Sequence, residues 1–144
     1  MMVIEERILI SADSEKIWKV FTDITCWNNW NSVIRDACCD DQCLYHGTVI
    51  TCSFRPFSFP ISARIEVEEV IPNECVTWSV RKKGFFAYHE FLFQKQEKGV
   101  LVTSRETFNG LLLRFFRFLL PRKRMRALTA AFLKDLKTAS ESYL

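Results

Sequence analysis

Apolar and polar side chains alternate through the middle of the chain. Ile61, Ala63, Ile65 and Val67 interleave with Ser62, Arg64, Glu66 and Glu68. Period two is the signature of a strand with one buried and one wet face. Val76, Trp78 and Val80 alternate in the same way with Thr77, Ser79 and Arg81. Phe85 to Gln94 and Val100 to Phe108 flank Glu97-Lys98-Gly99, a hairpin loop that calls for positive φ at the glycine. Pro72-Asn73 and Lys82-Lys83-Gly84 supply further turns, and Asp40-Asp41-Gln42 forms a loop tip. Val33 to Ala37 and Val49 to Arg55 complete a run of roughly six strands between Ser32 and Asn109.

The pattern changes period at both ends. Met2 to Ile10 alternates as a strand. Asp13 stands at a helix N-cap position, and Ile17, Trp18, Val20, Phe21 and Ile24 then form an apolar helical face. Trp27-Asn28-Asn29-Trp30-Asn31 predicts a short second helix or turn. From Gly110 to Leu144 the chain predicts a long helix interrupted at Pro121. Its stripe runs through Met125, Leu128, Phe132, Leu136, Ala139 and Tyr143. The order is strand, two short helices, an antiparallel meander and one long helix. That is an α+β architecture in which a curved sheet wraps a C-terminal helix and leaves a cavity between them.

The 144 residues suit one domain spanning 1–144, with no repeat, linker or low-complexity segment. The net charge of +3 is unevenly placed. Arg114, Arg117, Arg122, Lys123, Arg124 and Arg126 form a basic run without an acid, so the rest of the chain is net negative. The N-terminus lacks a signal-peptide core, and the apolar run Leu111 to Leu120 is too short to cross a bilayer. The expectation is a soluble cytoplasmic protein whose six cysteines are reduced thiols.

Three segments, in order, resemble the START-like, helix-grip superfamily. The first is Ile8-Leu9-Ile10-Ser11-Ala12, with Ile17-Trp18-Lys19-Val20-Phe21-Thr22-Asp23 and Trp30-Asn31. The second joins His89-Glu90-Phe91-Leu92-Phe93 and Gly99 to the run from Ser104 to Leu112. The third is Phe132-Leu133-Lys134-Asp135-Leu136-Lys137 with Glu141. This superfamily includes the birch pollen allergen, lipid-transfer START domains and bacterial polyketide cyclase and dehydratase-like proteins. The resemblance implies a helix-grip fold that binds a hydrophobic small molecule: a lipid, an isoprenoid or an aromatic polyketide. It implies no cofactor. One fold hosts many functions, so the ligand does not follow from it. The cysteines near residue 40 and the Arg- and Phe-rich start of the last helix depart from the superfamily pattern.

Candidate chemistry centres on the last hairpin. If Lys95 pairs with Val100, His89 lies opposite Glu106 and Phe91 opposite Ser104, all on one face with Phe93, Val102 and Phe108. A one-residue slip would set Glu90 against Glu106, two like charges. The His89–Glu106 pair reads as a polar anchor for a ligand or as an acid–base pair. The plainer alternative is a buried pair that only fixes the hairpin. Trp30, Phe54, Ile65, Trp78, Phe91 and Phe132 are the remaining candidate pocket residues, with Ser104 as a further polar one.

Other motifs are weaker. Cys38, Cys39, Cys43 and His46 approach zinc-ligand spacing, but no second cysteine pair follows and no metal is expected. No Gly-x-Ser-x-Gly, phosphate loop or dinucleotide fingerprint appears, and no nucleophile–base–acid set is legible. Any catalysis would be cofactor-free acid–base work of the cyclase or dehydratase type on His89 and Glu106. The segment 111–126 suits a membrane or protein surface; the alternative is a helix covered by the sheet and by a second subunit of a homodimer. A nucleic-acid partner is not expected, since no stacking platform of exposed aromatics is evident.

Overall fold

The structure, a computed structural model, describes residues 1–41, 43–56, 59–111 and 121–142. β1 (Met2–Ile10) leads into α1 (Ser14–Thr22), a 3-10 turn at Ile24–Cys26 and α2 (Trp27–Trp30). The strands β2 (Arg35–Cys39), β3 (Val49–Phe54), β4 (Ile61–Ile71), β5 (Cys75–Lys82), β6 (Phe85–Gln96) and β7 (Gly99–Asn109) follow, then α3 (Arg122–Glu141). Among the described residues no helix is long and apolar enough to cross a membrane.

The seven strands form one antiparallel sheet in the order β1-β7-β6-β5-β4-β3-β2. It is a curved antiparallel meander, as the turn spacing predicts, and the first strand adds to its last, a pairing the turns do not encode. The β6–β7 register also follows the sequence reading: Lys95 pairs with Val100, His89 with Glu106 and Phe91 with Ser104. Gly99 has φ +149, and a side chain there would run into the Ile10 carbonyl, so both conformation and space require glycine. The β4–β5 register shifts between Val67 and Glu69, and the extra residue Glu68 accepts a hydrogen bond from Ser79 Oγ at 2.6 Å. Such a bulge sharpens local twist and helps bend the sheet around its contents.

β2 begins at Arg35, two residues later than the sequence pattern suggests. The buried Asn31 explains this. Its Oδ1 accepts the amides of Val33 and Ile34 at 2.8 and 2.9 Å and holds both in a turn. Asp13 occupies the N-cap of α1, but its side chain makes no capping bond; its carbonyl accepts the Ile17 amide at 3.0 Å.

α3 packs against β1 and α1. Its buried residues are Met125, Phe132, Leu133, Leu136 and Ser140. The predicted stripe is thus corrected at its far end. Ala139 is only half-buried, Leu133 and Ser140 are inside, and Tyr143 lies outside the described residues. The helix is gripped by the sheet on one side and by α1 on another, so its buried face is wider than one row. Its long polar side chains also reach the outer strand. Arg122 and Lys137 donate to the Val3 and Leu9 carbonyls at 3.5 and 2.9 Å, and Arg126 pairs with Glu6 at 3.3 Å.

The core divides in two. The larger cluster gathers Ile17, Phe21, Trp27, Trp78, Phe91, Phe93 and Phe132 under α1 and α2. The smaller one holds Ile4, Ala87, Phe108 and Met125 beneath the start of α3.

Candidate functional site

Inward-facing residues of β3 to β7 and one side of α3 enclose a cavity of about 560 Å³. Its position follows from side-chain size. α1 and α2 fill one end of the concave face with aromatic rings. Toward the other end the wall carries Ala63 and Ala87, and α3 offers Thr129 and Leu128. Small side chains against a curved sheet leave space that, among the described residues, α3 spans. The exposed lining residues Ser62, Lys82 and Lys83 mark the mouth. Trp27, Trp78, Phe91 and Phe132 form the blind end.

The wall is largely apolar; inward of the mouth its polar side chains are Thr129 on α3 and a cluster on β6 and β7. His89 Nδ1 lies 3.3 Å from Glu106 Oε2, and His89 Nε2 lies 2.6 Å from Ser104 Oγ. The three residues occupy neighbouring inward positions on β6 and β7, so strand pairing alone brings them together. The imidazole stacks on the Phe91 ring with centroids 4.1 Å apart and meets the Trp78 ring edge-on at 5.7 Å. A carboxylate only accepts, so Nδ1 carries a proton toward Glu106. In the neutral ring Nε2 then accepts the Ser104 hydroxyl, and in the protonated ring it donates to it.

This serine–imidazole–carboxylate chain was not legible as a set in the sequence. Such a chain can hold or pass a proton. β7 is paired on both sides, with β1 and β6, so the amides around Ser104 belong to the ladders. They offer no convergent pair of donors to an oxyanion.

Of the remaining predicted pocket residues, Phe54, Ile65, Trp78, Phe91 and Phe132 line the cavity. Trp30 does not. It packs behind the blind end, against Trp27 at 6.0 Å and Phe132 at 5.6 Å. The four-residue α2 turns Trp27 inward and leaves Trp30 on the next layer. Sequence reasoning missed Lys82, Cys52, Ala87 and Met125 as lining residues. The signal for Lys82 was present: it keeps the parity of Val76, Trp78 and Val80 along β5. Burial pushes the Cys52 thiol up from its ordinary 9.0 to about 11.

Among the described basic residues, Arg122, Lys123, Arg124 and Arg126 are exposed. Arg124 Nη2 donates to the Arg55 carbonyl at 3.3 Å and so ties α3 to the β3–β4 loop. Arg114 and Arg117, with the rest of 112–120, lie outside the described residues. All six cysteines are free thiols. Cys38, Cys39, Cys43 and His46 do not converge: His46 Nδ1 is engaged by the Glu68 carbonyl at 2.6 Å, and among the described residues no metal-binding group assembles.

Residues 1–141 match the family described as polyketide cyclase / dehydrase and lipid transport. No curated protein matches the chain in sequence. Solved structures share the fold. A hypothetical protein from Helicobacter pylori is 18% identical with a TM-score of 0.79, covering 97% of this chain and 88% of its own. The di-domain ARO/CYC protein BexL is 11% identical with a TM-score of 0.80, over 99% of this chain and 51% of its own. Norcoclaurine synthase from Thalictrum flavum, solved with dopamine and hydroxybenzaldehyde, is 12% identical. Its TM-score is 0.71, over 95% of this chain and 84% of its own.

Proposed function

Because the chain belongs to the polyketide cyclase/dehydrase and lipid transport family, we propose that it binds one hydrophobic small molecule between its sheet and its C-terminal helix. The observation that carries this reading is the cavity itself. At about 560 Å³ it falls within the size range of small-molecule sites, and its apolar wall holds one cluster of placed polar groups. The ligand class is a lipid, an isoprenoid or an aromatic polyketide-like molecule. A neighbour of the same fold solved with two aromatic compounds supports the aromatic member of that list. Trp78, Phe91 and Phe132 give the ligand flat apolar surface, and His89 meets a polar atom of it.

Native mass spectrometry of protein taken from its own host, followed by extraction, tests the proposal. A stoichiometric apolar molecule is the expected result. An empty protein that also ignores fatty acids, quinones and aromatic polyketides overturns it. Trp78→Ala and Phe91→Ala should each weaken binding at least tenfold, because each removes ring contact from the blind end.

A second reading rests on the His89 contacts. An imidazole held between a carboxylate and a hydroxyl inside an apolar chamber can take a proton from a bound ligand and return it elsewhere, as a cyclisation or dehydration requires. Glu106 orients the ring and balances its charge when it is protonated. An enzyme of this kind keeps its affinity in His89→Ala and loses turnover; a carrier has no turnover to lose.

A further inference from the structure

The cavity has two places that could hold an anion, and they lie at different depths. Lys82 and Lys83 stand at the mouth, exposed and lining the cavity. His89 lies four residues further along β6 than Phe85, the partner of Lys82. At strand rise that is about 13 Å deeper.

The inner place is already taken. Glu106 holds Nδ1 of the imidazole and Ser104 holds Nε2. A second carboxylate beside Glu106 would meet like charge in a nearly dry chamber, which is strongly unfavourable. The outer place is open. Lys82 Nζ donates to the Ser62 carbonyl at 2.6 Å, which holds its ammonium across the mouth with two donors left over. Among the described residues neither lysine is in an ion pair. Arg124 does not line the cavity; its Nη2 donates to the Arg55 carbonyl, so the two lysines are the cations at the mouth among the described residues. Among the described residues lining this cavity Glu106 is the one acid, and it is deep and paired; Asp36 lines the neighbouring groove on the other side of Lys82.

We infer that the ligand is an elongated apolar acid bound head-out: its anionic end is held by Lys82 and Lys83 at the mouth, and its apolar body runs inward past His89 to the aromatic end. This rests on the cavity being a ligand site, as proposed above, and adds the charge and the orientation of what it takes. The head group can be a carboxylate, phosphate or sulfate, since an ammonium is a point charge that does not discriminate among them. An uncharged end of the ligand, such as a hydroxyl or carbonyl, can still meet the imidazole without repelling Glu106.

The test compares decanoate with decanol, two probes of one chain length that differ in charge. Their affinities are measured by calorimetry at neutral pH for the full chain and for the double variant Lys82→Gln with Lys83→Gln. The wild type should prefer decanoate about tenfold, as befits two charge-assisted contacts at an exposed rim, and added salt should reduce the preference. In the double variant the ratio should fall to about one. Equal affinities in the wild type, or a preference that survives in the variant, overturn the inference while leaving the cavity reading intact. Failure of both probes to bind overturns the cavity reading and the inference with it. Loss of phosphatidylglycerol vesicle binding in the variant, without any decanoate preference in the wild type, would assign these charges to a lipid surface and overturn the inference as well.

Discussion

The two ends of the concave face share a sheet and a helix yet differ in what fills them. At one end Phe21 projects from α1 into a ring of aromatics. Phe91, Phe93, Trp27, Trp78 and Phe132 lie with centroids 4.8 to 6.3 Å from it. At the other end, among the described residues, no second helix descends, and the wall is cut back to Ala63 and Ala87. The contrast shows that the cavity comes from unequal cover. α1 and α2 close one end of the face, and among the described residues α3 bridges the remainder.

The largest way to break this contrast is Phe21→Ala. It empties the centre of the packed end and should cost about 3–5 kcal/mol in urea unfolding. A loss below about 1 kcal/mol would mean the aromatic end collapses easily and is no firmer than the open one.

Next comes the wall chemistry. The folded Cys52 thiol sits near 11 against an ordinary 9.0, so folding favours its protonated form. That contribution is whole below about pH 9 and is lost as pH rises toward about 11, on the order of 2–3 kcal/mol in all. The stability of wild type relative to Cys52→Ala should therefore fall over that window. A flat difference would show that water reaches this wall as freely as solvent.

A matched pair of enlargements is a sharper comparison. Ala37 is buried in the larger core cluster and does not line the cavity; Ala87 is equally buried and does. Ala37→Leu should overpack and cost about 1–3 kcal/mol, whereas Ala87→Leu should stay within about 1 kcal/mol of wild type and abolish decanol binding. Equal destabilisation at both would remove the distinction between filled and empty ends.

The smallest effect concerns the polar group. A double-mutant cycle on His89→Gln and Glu106→Gln should show coupling of about 1 kcal/mol, since the pair is mostly buried but keeps some solvent contact. Thermal melts at neutral pH would measure it, and additivity of the two changes would show that the ring and the carboxylate act separately.

Much of this was legible before any coordinates. The like-charge clash of a slipped register fixed the β6–β7 pairing, and with it the meeting of His89 and Glu106. The role of Ser104 was half visible. Its face was predicted, but its bond to the far ring nitrogen depends on a side-chain rotation that alternation does not encode. Trp30 was misplaced because a four-residue helix gives too few positions to define a face. Lys82 went unread for a different reason. A lysine beside a turn glycine looks like solvent-facing punctuation, and only the parity of its strand shows that it leans over the cavity. The size of the cavity could not be read at all. It depends on how far α1 covers the sheet, which is set by tertiary packing.

The sheet is open, so it has two border strands, and each is guarded differently. Along β1 the side chains of Arg122 and Lys137 occupy the Val3 and Leu9 carbonyls. At the opposite border β2 is short, its register shifts between Arg35 and Cys38, and Asp36 adopts φ +54. Among the described residues each border is thus interrupted, one by side chains and the other by an irregular backbone, an arrangement natural sheets use against edge-to-edge pairing. A sheet that stays open to hold a hollow interior therefore carries, at both edges, features that work against strand addition.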